Sequence, residues 1–276
     1  MKKFWKKIKN FFSELFNKKE KIEEKPKEEP IIEYDYVDLS KYEEIYAPIF
    51  IKNDKGDYKI NTNYWTVPKA GPSLWNKHAG LYPTYEENED LIRFICKNVD
   101  TNEDGWATAA IKSKNDFCDG YFECYAKFTS GKSTWPAIWT THPNGAKNNY
   151  ETYYEVDLSE YYNLDNHTCT TYHCPQTMRG GGKYVTDVKT DIDKYAWNKY
   201  GMSWDKDSIK VYINDKIIMN IENDGDTTHF PVEDSTRTFQ IILSMQYANK
   251  WLGTPDLCEL PLFMDIKDLK IYKVKK

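Results

Sequence analysis

The run YYEVDLSEYY, residues 153–162, gathers Glu155, Asp157 and Glu160 on one short segment. Read as a strand, Tyr154, Val156 and Leu158 face one way and build a core. Glu155, Asp157 and Ser159 face the other. Strict alternation would put Glu160 on the core face, where an unpaired carboxylate is costly. A β-bulge inserts one residue and swings Glu160 back beside Glu155 and Asp157. The two glutamates are then roughly 13 Å apart at Cα, at about 3.3 Å per strand step. Side chains leaning together bring their carboxyls to about 5–6 Å, the spacing of a retaining pair that cleaves a glycosidic bond; an inverting pair stands wider to admit a water. In that chemistry Glu155 is the nucleophile. Glu160 is the acid that protonates the leaving oxygen and later the base that activates water. Asp157 bonds to the nucleophile and keeps the acid protonated by like-charge coupling. For the trio alone, a solvated acidic face or a calcium site is the plainer reading. The neighbouring STWPAIWTT shifts the balance: Trp135, Ala137 and Trp139 alternate along it and supply aromatic walls suited to a sugar ring.

Such residues need a sheet to hold them. From about residue 45 the chain reads as short strands parted by turns. Leu91–Cys96, Tyr121–Phe128, Ile209–Ile213, Phe239–Met245 and Leu269–Val274 are apolar-rich segments. Turn signals lie at Asn102–Gly105, Pro143–Gly145, Asn214–Lys216 and Asn223–Asp226. No long helical period and no internal repeat interrupts them, so an all-β sandwich is expected. Aromatic residues make up 16% of the chain, which suits both strands and sugar-stacking surfaces. The three glycines 180–182 lack the strand–helix setting of a phosphate cradle.

The N-terminal part is different. Phe4, Trp5, Ile8, Phe11, Phe12, Leu15 and Phe16 recur at helical spacing with lysines opposite. A charged, proline-containing linker follows. Residues 1–30 are therefore read as an amphipathic helix and linker, and residues 31–276 as the catalytic domain. The helix suits a protein partner or an anionic membrane surface, with packing on the main domain as the plain alternative. Lysines break its apolar run, so no conventional signal peptide is read, although an external or cell-surface glycan is the expected target. The net charge of -5 argues against nucleic acid. Six cysteines without a C-x-x-C pair signal no zinc site and are read mostly as reduced core thiols.

The run DGYFECYAKFTSGKSTWPAIWTTHPNG followed by YEVDLSEYY resembles glycoside hydrolase family 16, which shows G-x-F-E, W-P-A-x-W and E-x-D-x-x-E in this order. CTTYHC, KYGMSWDKDSIKVYINDKII, FQIILSMQYANKWLG and FMDIKDLKIY extend the likeness over roughly residues 85–276. The resemblance implies a β-jelly roll of two curved antiparallel sheets with a cleft on the concave face. It implies endo-hydrolysis of a β-linked glucan or galactan without an organic cofactor. Glu155 matches the family's nucleophile, Asp157 the assisting acid and Glu160 the acid/base. Trp135, Trp139 and His173 match substrate-binding positions, with Trp251 as a further wall. Many members hold a structural calcium away from the cleft, and Asp268 is a candidate ligand. Tyr154, Ser203 and Ser244 depart from residues common in the family and put the identity of the sugar in question more than the reaction. Trp65 and Trp75 lie where the likeness is poor and are read as core. A non-catalytic carbohydrate-binding or structural module on the same sandwich, within a virion or cell-surface assembly, is the competing reading.

Overall fold

The computed structural model describes residues 37–71, 74–144, 150–178, 187–247 and 252–275. The N-terminal helix expected within residues 1–30 lies outside the described residues.

Two antiparallel sheets face each other. In the first, the long strand Leu262–Val274 pairs with Tyr42–Ile45, Leu91–Asn98 and Gly120–Phe128. Gly120–Phe128 leads on to Asn198–Trp204, Ser208–Ile213 and Lys216–Glu222. In the second, Trp106–Ser113, Thr238–Tyr247, Thr134–Thr141, Glu155–Glu160, His167–His173 and Val188–Asp191 lie side by side. Trp106–Ser113 belongs to both: its start pairs with Leu91–Asn98 and its end with Thr238–Tyr247. This sharing curls the sheets toward closure and gives a jelly roll. Each strand foreseen from sequence is present and extends past its apolar run, by most where Leu269–Val274 proves to be the end of Leu262–Val274. The turn at Asn214 and Asp215 has φ of 50° and 62°, the left-handed pair that matches the twist of a two-residue hairpin.

The core fills the space between the sheets. Phe94, Phe122, Phe128, Trp204, Tyr161, Tyr172 and Tyr200 are buried there with the aliphatic residues of facing strands. Their alternation with outward polar residues is what the two-residue period demands. Trp65 is buried as expected, and its Nε1–H donates to the Ala47 carbonyl at 3.0 Å. Of the six free thiols, Cys96, Cys124, Cys169 and Cys174 are buried, while Cys118 and Cys258 are exposed.

Candidate active site

The strand Glu155–Glu160 is bulged. Against Thr134–Thr141, Glu160 pairs with Ala137, Ser159 with Ile138 and Asp157 with Trp139, so Leu158 has no partner. The same break appears against His167–His173, between Asp157 and Glu160. Leu158 lies in the main core. Ser159 is fully buried too, and its hydroxyl meets Thr168 Oγ1 at 2.8 Å. The sequence reading placed Ser159 with the carboxylates; the bulge instead turns two consecutive residues inward. That is how Glu160 comes to share a face with Glu155 and Asp157.

The opposite face of this sheet from the main core carries a small separate cluster of Ala137, Trp139 and Ile242, with Trp75 packed against it. Trp75 meets Trp139 edge-on, centroids 5.2 Å apart. Trp75 was expected in the core; it belongs to the carboxylate face. Trp139 is itself largely buried, and its Nε1–H donates to Ser244 Oγ at 3.2 Å. Gln246 Nε2 donates to the same hydroxyl at 3.0 Å. Ser244, noted in sequence as a departure, is thus the acceptor that orients the Trp139 indole.

Donors surround the carboxylates. Trp135 Nε1–H donates to Glu160 Oε1 at 2.6 Å, and the Tyr162 hydroxyl donates to Glu160 Oε2 at 2.7 Å. The Tyr153 hydroxyl donates to Glu155 Oε2 at 3.1 Å. His173 Nε2 lies 3.2 Å from Asp157 Oδ2 and 3.9 Å from Glu155 Oε1. Trp135, Trp139 and His173 are therefore all brought to the trio. Trp251 lies outside the described residues. Tyr153 and Tyr162 were not singled out beforehand. The signal was available, since each stands two residues from a glutamate and a strand returns to the same face every second residue.

Burial pushes all three carboxyls upward. Glu155 is raised from 4.5 to about 8 by burial and then by Asp157, against the pull of His173 and the Tyr153 hydrogen bond. Asp157 is raised well above its usual range by burial and by Glu160. Glu160 is raised by burial, while the Tyr162 and Trp135 donors pull it back. Three negative charges are not held together here at neutral pH; the trio shares protons. The unfolded chain releases a glutamate proton near 4.5, whereas the folded trio holds a shared proton to higher pH, with Glu155 pushed up to about 8. The folded state binds more protons across that window, so stability is expected to fall as pH rises through it. Urea midpoints measured from pH 5 to 8 check this, and Glu155→Gln should flatten the slope.

Glu155, Asp157 and His173 also place three ligand atoms within 4.8 Å of one another. Asp268, the calcium candidate, is exposed with φ of 51° at a register break and belongs to no such group among the described residues.

A curved antiparallel sandwich carrying a bulged carboxylate trio and indole walls on one sheet face defines a jelly roll of the carbohydrate-active class. The chain belongs to glycosyl hydrolases family 16, whose model matches residues 77–259. It is 24% identical over 84% of its length to a keratan-sulfate endo-1,4-beta-galactosidase of Sphingobacterium multivorum, covering 56% of that protein. It is 27% identical over 53% of its length to a beta-glucanase of Rhodothermus marinus, covering 54% of it. The chain thus spans about half the length of these curated relatives. Its fold is that of the laminarinase catalytic domain of Thermotoga maritima, at TM-score 0.68 and 18% identity, covering 86% of this chain and all of that one. The laminarinase of Flavobacterium sp. UMI-01 matches at TM-score 0.63 and 19% identity, over 78% of this chain and 95% of that one.

Proposed function

We propose that the chain is a retaining endo-hydrolase of a β-linked polysaccharide, a β-1,3- or β-1,3/1,4-glucan or a galactan. The observation that carries this reading is the bulged strand with Glu155, Asp157 and Glu160 on one face, each held by a named partner. Two of the relatives point to the two sugar classes, one a galactosidase and one a glucanase.

In the first step the Glu155 carboxylate attacks the anomeric carbon. The bond to the leaving oxygen breaks and that oxygen takes the proton of Glu160. In the second, Glu160 removes a proton from water, and the water oxygen displaces Glu155 from the same carbon, which regenerates both groups. Glu155 must be ionised to attack. Asp157 is the natural seat of the shared proton, because its side chain is 7% exposed against 17% for Glu155. A proton there favours a carboxylate at Glu155 and removes one repelling charge.

The two oxygens of Glu160 are not equivalent. An indole N–H only donates, so Trp135 keeps Oε1 an acceptor. A hydroxyl donates or accepts, so Oε2, beside Tyr162, is the oxygen that carries the transferable proton. Tyr162→Phe removes a donor from the ionised form and should raise the Glu160 pKa. The alkaline limb of kcat/KM is then expected to move to higher pH while the acid limb stays. A profile that only scales in height would limit Tyr162 to packing.

The reading is tested by incubating the chain with laminarin, mixed-linkage β-glucan and agarose and following the first-formed reducing ends by proton NMR. Appearance of the β-anomer before mutarotation supports it. First appearance of the α-anomer would overturn retention.

A further inference from the structure

A second groove lies on the hairpin of strands Phe50–Lys52 and Tyr58–Ile60 and the loop at Tyr82–Pro83. Its volume is about 550 Å³, inside the range of about 300–1,000 Å³ usual for small-ligand sites. None of the groups that hold the carboxylate trio lines it, and most of it precedes the stretch matched by the family model.

Its lining has the composition of a sugar platform. Tyr82 is 68% exposed. Phe50 and Tyr58 are half-buried beside it, held by contacts of 6.0 Å and 4.1 Å to the Tyr85 ring. Asn61, Thr62 and Asn63 supply amides and a hydroxyl along one side. Lys59 is the one charged lining residue, so recognition falls mainly to the aromatic, amide and hydroxyl groups.

Asn61 is the pointed observation. It is only 5% exposed yet lines the groove. Its backbone N–H donates to the Ile49 carbonyl, and its carbonyl accepts from Tyr64 and Trp65, which fixes it in place. The Asn63 amide N–H donates to its Oδ1 at 3.3 Å, so the amide orientation is determined and Nδ2 faces away from that bond. Nδ2 donates to no group among the described residues. A near-buried amide with two unused donors, beside the exposed ring of Tyr82, matches a ring with an apolar face and a rim of acceptor hydroxyls.

We propose that this groove is a second carbohydrate-binding site that holds a segment of the polysaccharide the cleft cleaves. The proposal rests on the reading of the cleft as a β-glycan hydrolase. Tyr82 stacks on a sugar ring, and Asn61 Nδ2 donates to one of its hydroxyls, displacing groove water. The function is retention: a polymer anchored here is presented again to the cleft after each cut.

The test uses the full chain with Glu155→Gln, so that binding is read without turnover. Its retardation is measured in native gels containing laminarin, mixed-linkage β-glucan or agarose. Tyr82→Ala added to it should weaken retardation by at least about threefold, the loss expected of an aromatic anchor at a binding site, and Thr62→Ala should do so less. In the otherwise unchanged chain, Tyr82→Ala should leave kcat/KM on a short oligosaccharide intact and lower the rate on the polymer. Retardation unaltered by Tyr82→Ala, or absent with all three polymers, overturns the second site. Continued hydrolysis by Glu155→Gln is a separate result that would remove Glu155 from its role in the cleft and leave the second site standing.

Discussion

Glu155→Gln is expected to reduce kcat by about 10³-fold or more while leaving the fold in place, since removing a nucleophile acts on the transition state and not on ground-state binding. The side chain is isosteric, and its Tyr153 contact at 3.1 Å survives as a hydrogen bond to an amide oxygen. Relief of repulsion from Asp157 and Glu160 should even raise the unfolding midpoint at neutral pH. The measurement is single-substrate kinetics on the polysaccharide that wild type cleaves, with circular dichroism as the fold control. Near-normal turnover would remove Glu155 from the role proposed for it.

The second large effect separates acid from base. Glu160→Ala should lose about 10²–10⁴-fold on an ordinary polysaccharide, whose leaving oxygen needs a proton. With an aryl glycoside of an acidic phenol, bond breaking no longer depends on that proton, and the first step should be nearly spared. Hydrolysis of the glycosyl-enzyme should then limit the rate, and added azide should relieve it, giving the β-glycosyl azide. Glu155→Ala with the corresponding α-fluoride should bind sugar without forming that product by two displacements. An α-azide from the Glu160 variant would mean that the two roles have been exchanged or that no covalent step exists.

Much of this site was legible in one sequence because its parts are local. Glu155, Asp157 and Glu160 are on one strand, and strand period together with the cost of burying a carboxylate is enough to require the bulge. Trp135 and Trp139 follow from the same period on the adjacent strand. Position within the bulge was harder. Sequence alone gives no reason to prefer Leu158 and Ser159 as the doubled pair, and Ser159 was placed on the wrong face. Trp75 was misplaced for a different reason. Its contact with Trp139 joins segments far apart in the chain, and no local period encodes which side of a sheet a loop will cover. The Trp139–Ser244 bond is likewise long-range. Tyr153 and Tyr162 were in plain view but unremarked among 22 tyrosines; only the carboxylate at hydrogen-bond distance distinguishes them.

The bulge loosens the tie between the length of one strand and its chemistry. Most sheet positions tolerate a change of side chain better than a change of count, and this strand is an exception. Deleting either Leu158 or Ser159 would restore a regular ladder and leave every carboxylate in the chain. Glu160 would stay opposite Ala137 on the carboxylate face, because the doubled pair both face the core and losing one of them returns strict alternation. A single-codon loss within the doubled pair therefore spares the carboxylate face, whereas the same loss at Val156 would turn Glu155 away from Asp157. The segment from Glu155 to Glu160 behaves as a ruler with one residue of slack, and the slack lies where no acid stands.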